Sequence, residues 1–400
     1  MKKMQWTRVA IVTSAAAALA LTGCSGSSGG DTGGGDGAKK IVVGSSVPLT
    51  GPVASAGKGQ GCGFEVFFDA ANKNGGIAGY EVEVSTKDNQ YEGSASATVA
   101  QELVAEGAVA IFAGGTVPVD AARGATQSSG LMLTGSADGA AFAPPQAPGE
   151  YGVYPAYADD MAAAIDYAAE GLGAKSVSVV LALGAGDNSI ERLPEIEKAG
   201  KAEVATSIEM NLADPQFASW AKQLKDANAD VVYVQHVDTT LAQLQKEADN
   251  IGYNPKWILT PFGYGPGYLE LAGDLAEGTT VAQWAWPSAA TDQQSVKDFV
   301  AAVEDYTPEC AEEVDNPNTN VGYNHAAIIG KAIELAAESG EVNAETMTAA
   351  IADYEGALGT IDNVKFSDDS HAGGQGVSYW EIKDGKLELA GDWRPVGSAE

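Results

Sequence analysis

The sequence predicts an α/β fold of two doubly wound parallel-sheet lobes, and three observations predict it. Short β-branched runs alternate with helical patterns from Lys40 to Thr260. Strands spaced by 10–15-residue helical patterns imply right-handed βαβ units, hence parallel sheets with helices on both faces. The alternation breaks around Tyr151–Asp160 and then restarts, giving two series. A chain of 400 residues, at ~150 per domain, is also long enough for two or three compact bodies with real cores.

The first 40 residues stand outside this pattern. Lys2, Lys3 and Arg8 precede a 14-residue apolar run, Val9–Thr22. A spanning helix needs ~20 apolar residues, so this run has the shape of a secretory signal over residues 1–23. It ends in Leu21-Thr22-Gly23-Cys24, which resembles a bacterial lipobox. The alternative is an ordinary export signal with an incidental cysteine. Cys24 falls where the apolar run stops, which favours lipid attachment there and anchorage by acyl chains alone. Residues 24–39 then form a Gly/Ser-rich tether. Fourteen such residues give roughly 20 Å of slack. Gly26-Ser27-Ser28-Gly29-Gly30 matches G-x-S-x-G but lies in this coil, not on a strand-to-helix elbow.

The first series opens with the strand Ile41–Val47, a Gly/Pro loop and a helix from about Gly61 to Asn72. Tyr80–Ser85 alternates apolar and charged residues as a half-buried strand should. A helix at Ser94–Glu106, strand Ala108–Phe112, a helix from Pro118 and strand Leu131–Thr134 complete it. The second series runs from a helix near Asp160 through strand Ser176–Leu183, a helix and strand Ala202–Ser207. It continues with helix Gln216–Ala227, strand Asp230–Gln235, a helix and strand Trp257–Thr260. Near the end, Gly376–Ile382 and Lys386–Gly391 read as a hairpin about Asp384-Gly385, a type I′ turn signal.

Composition excludes several functions. The chain has 23 Lys+Arg against 54 Asp+Glu, a net charge of −31. Removing the leader takes three bases and no acid, leaving −34. So acidic a chain repels phosphate backbones and anionic membranes, and no nucleic-acid partner is expected. Three cysteines and three histidines leave little material for a metal site or for His-based catalysis, and no metal or cofactor is expected. The run Gly51–Gly59 fails as a P-loop, because five residues separate Gly51 from Gly57 and Gly follows Lys58. His371, beside Asp368 and Asp369, has no second histidine at ligand spacing.

Further motifs carry a family resemblance. Ile41-Val42-Val43-Gly44 leads into Pro48-Leu49-Thr50-Gly51-Pro52. A helix with Asn72 enters Gly75-Gly76-Ile77-Ala78-Gly79, then Val82-Glu83-Val84 and Asp88. These resemble the N-terminal lobe of the branched-chain amino-acid (Leu/Ile/Val) type of periplasmic binding protein, the solute receptors of ABC importers. The similarity continues through Gly130–Leu133, Asp230–Tyr233, Phe299–Tyr306 and Gly322–Leu335. It implies a type I periplasmic binding protein fold, two α/β lobes joined by three hinge crossovers with the ligand cleft between. The crossovers would fall near Tyr154–Asp159, Val281–Pro287 and Ile361–Phe366. The N-terminal lobe would take 40–156 and 285–363, and the C-terminal lobe 157–284 and 364–400. The resemblance implies a monomer, exported and held at the outer face of the cell membrane, that captures a small ligand and serves ABC permease and ATPase subunits. No bond is made or broken, so no enzyme is expected; the alternatives are a sensor built on the same two-lobed module, or a surface-anchored hydrolase, for which no Ser or Cys shows a nucleophile beside a base.

Ligands of such sheets bind off the carboxyl ends of the strands. The resemblance puts the ligand at Gly115 and Thr116, after strand Ala108–Phe112, and at Ser136, Ala137 and Asp138 after the next strand. A simpler reading has Thr116 capping its helix and Asp138 turning its loop. From the second lobe, Asp187, His236 and Phe262 follow strands, though a lone His after a strand is as readily a loop residue. Tyr157, with Trp286 or Trp284, would form an aromatic wall or pack the hinge; alternating residues face opposite ways, so parity is open. In the family an acid usually stands in the loop that here reads Thr260-Pro261-Phe262-Gly263, to pair with an amino acid's ammonium. Its absence leaves two alternatives: Asp138, Asp187 or Asp238 substitutes, or the ligand is an acid without an amine. Cys62 and Cys310 would both lie in the N-terminal lobe, where export permits a disulfide if their Cα atoms approach within ~4.4–6.8 Å.

Overall fold

The computed structural model describes residues 39–51, 53–142, 148–184, 187–211, 215–235 and 238–396. The tether and Cys24 therefore lie outside the described residues. The first sheet is built from β1 (Lys39–Val47), β2 (Tyr80–Asp88), β3 (Ala108–Ala113), β4 (Met132–Gly135) and β5 (Glu150–Tyr151), in the order β2-β1-β3-β4-β5. Every neighbouring pair is parallel. The crossovers between successive strands include α1 (Ala54–Lys73), α2 (Gly93–Ala105) and α3 (Thr116–Ser129).

The chain then enters the second sheet through α4 (Tyr157–Glu170) and β6 (Ser176–Ala182). There follow α5 (Asp187–Ala199), β7 (Glu203–Met210), α6 (Phe217–Ala227) and β8 (Val231–Gln235). Next come α7 (Asp238–Asn250), β9 (Lys256–Leu259), α8 (Pro266–Ala272) and β10 (Thr280–Gln283). The chain returns to the first sheet's helices with α9 (Gln294–Glu304), α10 (Pro308–Ala311), α11 (Pro317–Ser339) and α12 (Ala344–Ile351). A two-stranded ribbon, β11 (Glu355–Leu358) with β12 (Ile361–Lys365), precedes the final passage into β13 (Gly376–Lys383) and β14 (Lys386–Pro395). The second sheet is ordered β14-β13-β10-β9-β8-β6-β7, parallel except for the antiparallel hairpin at its edge. Asp384 (φ 50°) and Gly385 (φ 73°) make the positive-φ turn expected of Asp-Gly.

The fold is thus α/β with parallel-dominated sheets, and the chain passes between the two sheet bodies three times. Two differences from the sequence reading have physical causes. The helix expected from Gly61 starts at Ala54, because four glycines at 57–63, poor helix formers on propensity, are required by packing. A Cβ at Gly63 would lie 1.8 Å from the Thr319 carbonyl oxygen, and one at Gly322 would lie 1.9 Å from that of Gln60. Helices α1 and α11 therefore interlock backbone to backbone. Residues 280–283, to which the sequence reading assigns no strand, form β10 within the second sheet. Cys62 on α1 and Cys310 on α10 are joined by a disulfide, Cα atoms 5.7 Å apart. The main apolar core runs from Val43 and Phe112 in the first sheet to Val179 and Tyr233 in the second, through Tyr154, Tyr157 and Trp284.

Candidate ligand site

The carboxyl end of β3 is Ala113, after which Gly114 and Gly115 bring the backbone round into α3. Gly115, at φ 111°, is the N-cap, and no side chain caps the helix. The capping role considered for Thr116 is therefore unfilled, and the Thr116 hydroxyl has no partner among the described residues. It stands half-buried at the helix N-terminus, where the first N–H groups lack intrahelical acceptors and favour an anion.

The end of β4 supplies Ser136, Ala137 and Asp138, all buried. Asp138 Oδ1 accepts from the Ala140 N–H (3.0 Å) and from the Tyr157 N–H (2.9 Å). It thus both turns its loop and caps the first N–H of α4. Burial pushes its carboxyl up, against the pull of those two backbone donors. Asp159 raises it further and Arg192 lowers it, but Arg192 is itself paired with Asp159 at 2.6 Å.

Tyr157 is 7% exposed and its phenol, which burial pushes well up, has no hydrogen-bond partner among the described residues. Its ring lies 5.7 Å from Trp284 and 6.4 Å from Phe262; Phe262 in turn lies 5.3 Å from Trp284. Tyr154 joins this cluster, 5.1 Å from Trp284 and 5.5 Å from His325. The structure thus brings Tyr157 and Phe262 together but not Trp286. The Trp286 indole donates to Asp362 (2.7 Å) and its ring packs 6.0 Å from Trp393 and 6.5 Å from Trp380. Trp286 thus packs with Trp380 and Trp393, and Trp284 is the tryptophan that joins Tyr154, Tyr157 and Phe262.

His236 lies outside the described residues. Asp187 is the first residue of α5, but its side chain is not among those described. Its neighbour Asn188, part of the Asp187-Asn188-Ser189 run that the sequence places after a strand, has a buried Oδ1 with no partner among the described residues. Ser136 Oγ, Thr260 Oγ1 and Tyr154 OH are buried and unpartnered in the same way. Ser136, Asn188 and Thr260 follow the carboxyl ends of β4, β6 and β9, and buried polar groups ordinarily have partners. The signal available in sequence was position alone: a polar residue just past a strand.

Tyr91 was also missed. It follows β2 in a loop where Gln90 (φ 55°) and Tyr91 (φ 60°) are both left-handed. Its ring lies against Gly115, where a Cβ would come within 2.4 Å of Cε2.

Below the wall, Asp160 is fully buried and accepts from Trp284 Nε1 (2.8 Å) and the Tyr233 hydroxyl (2.7 Å). Burial raises its carboxyl to about 6, against those two donors. His325 Nδ1 sits 2.6 Å from Thr134 Oγ1, and burial lowers the imidazole to about 3, so it is neutral. A separate cavity of about 720 Å³ opens at the amino ends of β9 and β10, lined by Lys256, Thr280, Glu381 and Lys383. None of the candidate residues reaches it. Among the described residues there is no group of three or more metal-ligating side chains, and no helix long and apolar enough to cross a membrane.

Two sheet bodies with unused polar groups and aromatic faces at their strand ends are what a two-lobed receptor requires. A family description, periplasmic binding protein, matches residues 40–386. The chain belongs to the periplasmic binding protein family. It is 26% identical over 272 residues to a Leu/Ile/Val-binding protein homolog from Brucella melitensis, covering 66% of this chain and 72% of that one. Among solved structures it is similar to a branched-chain amino acid ABC transporter protein from Thermus thermophilus with bound valine. That likeness has TM-score 0.79, 19% identity, and 91% of this chain against 98% of the other. It is similar also to an R. palustris ABC transporter solute-binding protein in complex with 4-hydroxybenzoate, at TM-score 0.75 and 20% identity, covering 90% and 97%. These structural likenesses establish the fold, that of a type I periplasmic binding protein.

Proposed function

We propose that this chain is the extracytoplasmic solute receptor of an ABC importer, tethered by lipid on Cys24 and closing two lobes over a small carboxylate-bearing ligand. Family membership supports the receptor role. The observation that carries the site is the gathering, at the strand ends of both sheets, of polar groups that no protein atom uses. Thr116 and the N-terminus of α3 suit a carboxylate, and the Tyr154–Tyr157–Phe262–Trp284 cluster suits an apolar or aromatic body.

The ligand we favour is a small hydrophobic or aromatic acid rather than an amino acid. Asp138, the described acid at the N-lobe loops, has Oδ1 committed to two backbone donors and its carboxyl pushed up by burial. An ammonium placed there would compete with two backbone donors for Oδ1 and would have Oδ2 as its remaining acceptor. The N-terminal lobe is assigned 40–156 with 285–363, and the C-terminal lobe 157–284 with 364–400. Closure requires that the solute stabilise the closed arrangement more than the open one, and permease and ATPase subunits read that state. No covalent step is needed.

A thermal-shift screen of benzoate, 4-hydroxybenzoate, octanoate, valine and leucine tests the reading. A true ligand at 100 times its Kd adds about 2.7 kcal/mol of apparent stability. Stabilisation by the acids and not by valine or leucine is the expected result. Stabilisation by the amino acids alone would return the ligand to the branched-chain class, and a flat screen would contradict the receptor reading for both classes.

A further inference from the structure

We propose that Tyr91 is a specificity-determining residue of this cleft, its ring limiting the solute at the N-lobe wall and its hydroxyl donating to the solute's acidic oxygen. The inference rests on the receptor reading above and deepens it.

The loop that carries Tyr91 is strained. Two consecutive non-glycine residues in the left-handed region, Gln90 and Tyr91, cost on the order of 1 kcal/mol or more each. Such a loop persists only when its surroundings fix it, and here they do. Asp88 Oδ1 accepts from the N–H groups of Leu49 (2.8 Å) and Gln90 (2.9 Å), and Asp88 Oδ2 accepts from the Thr50 hydroxyl (2.6 Å). Fully buried Asn89 accepts from the Tyr91 N–H (2.9 Å) and donates to Ser46 Oγ (3.2 Å). What all this holds in place is one aromatic ring.

That ring is set directly on the ligand loop. A Cβ at Gly115 would stand 2.4 Å from Tyr91 Cε2 and 3.2 Å from its hydroxyl oxygen, so residue 115 must lack a side chain for the ring to lie there. The phenol is thereby placed at the entrance to α3, one residue from the free Thr116 hydroxyl. Among the described residues the Tyr91 hydroxyl has no hydrogen-bond partner. A second, independent feature points the same way: Tyr157, more than nine-tenths buried, also keeps an unpartnered phenol in this neighbourhood. Two neutral phenol donors, a threonine hydroxyl and a helix N-terminus together match an anionic oxygen pair.

The test uses the full chain with Tyr91→Phe and Tyr91→Ala, titrated calorimetrically with the same five probes. Because the hydroxyl bonds no protein group, Tyr91→Phe should leave the melting temperature of the free protein in place while weakening acid binding about ten-fold. Tyr91→Ala should change the rank order in favour of the bulkier acids. If the wild-type chain binds a probe and both variants keep its affinity and rank order, this inference is overturned while the receptor reading stands. If the wild-type chain binds none of the five, the receptor reading fails first and this one falls with it.

Discussion

At the scale of single residues, the proposed site rests on side chains that have no partner among the described residues. Thr116 is the clearest: the helix it opens is capped by Gly115, and its hydroxyl is free. Thr116→Ala should therefore weaken the solute about ten-fold with no loss of thermal stability; unchanged affinity would remove Thr116 from the site. Asp160 gives a residue-scale prediction of another kind. A buried acid whose folded-state pKa, about 6, exceeds its unfolded value of 3.8 costs no stability below about pH 4. Its cost grows as pH rises to about 6 and is complete above, roughly 3 kcal/mol at most. His325, held near 3 against 6.5 unfolded, acts oppositely, losing stability as pH falls below 6.5. Asp160→Asn can still accept from Trp284, so it should match or exceed wild-type stability at pH 7. It should also lose more stability than the wild type between pH 6 and 4, and parallel pH profiles would refute this. The place of Thr116 at a helix start was legible in sequence because glycine-rich strand ends and helix starts have a pattern. The choice between Trp284 and Trp286 was not, since strand parity needs a known register, and Tyr91 depended on a contact with residue 115 that no local pattern encodes.

At the scale of elements, the tightest constraint is the interlocking of α1 and α11. Gly63 and Gly322 each face a backbone carbonyl of the other helix at a distance no Cβ tolerates. Gly322→Ala should force the helices apart and destabilise the protein by about 1–3 kcal/mol, as overpacking does. Gly124, with open space where a Cβ would stand, is the control: Gly124→Ala should be neutral or mildly stabilising. Equal loss in both would argue against the interlock. The disulfide between Cys62 and Cys310 ties α1 to α10 across 248 residues of chain. Its removal by Cys62→Ala with Cys310→Ala should cost about 2–4 kcal/mol in chemical denaturation. Most strands and helices were readable from period and turn chemistry. The start of α1 was not, because its glycines read as breakers until α11 is seen to require them. β10 was not, because four residues at the hinge carry too little pattern to separate a strand from a connection.

At the scale of the whole molecule, two parallel sheets share one apolar core through Tyr154, Tyr157 and Trp284, the residues that also wall the candidate cleft. A solute bound there would touch groups at the strand ends of both sheets, and the proposed function has that contact turn occupancy into a change of shape. The proposed lipid attachment at Cys24 belongs to this scale too. Cys24→Ala should move the protein from the membrane fraction to the medium, and persistence in the membrane would refute lipid attachment. The two-lobe plan was legible because the alternation of strands and helices breaks once and resumes; the ligand was not, because its chemistry is read from unused atoms that only the folded chain brings together. The most direct measurement is small-angle X-ray scattering of the tether-free chain with and without a saturating probe acid. The account predicts a smaller radius of gyration in the bound state, with the acid recovered unaltered. An unchanged radius at saturation, or a chemically transformed acid, would contradict it.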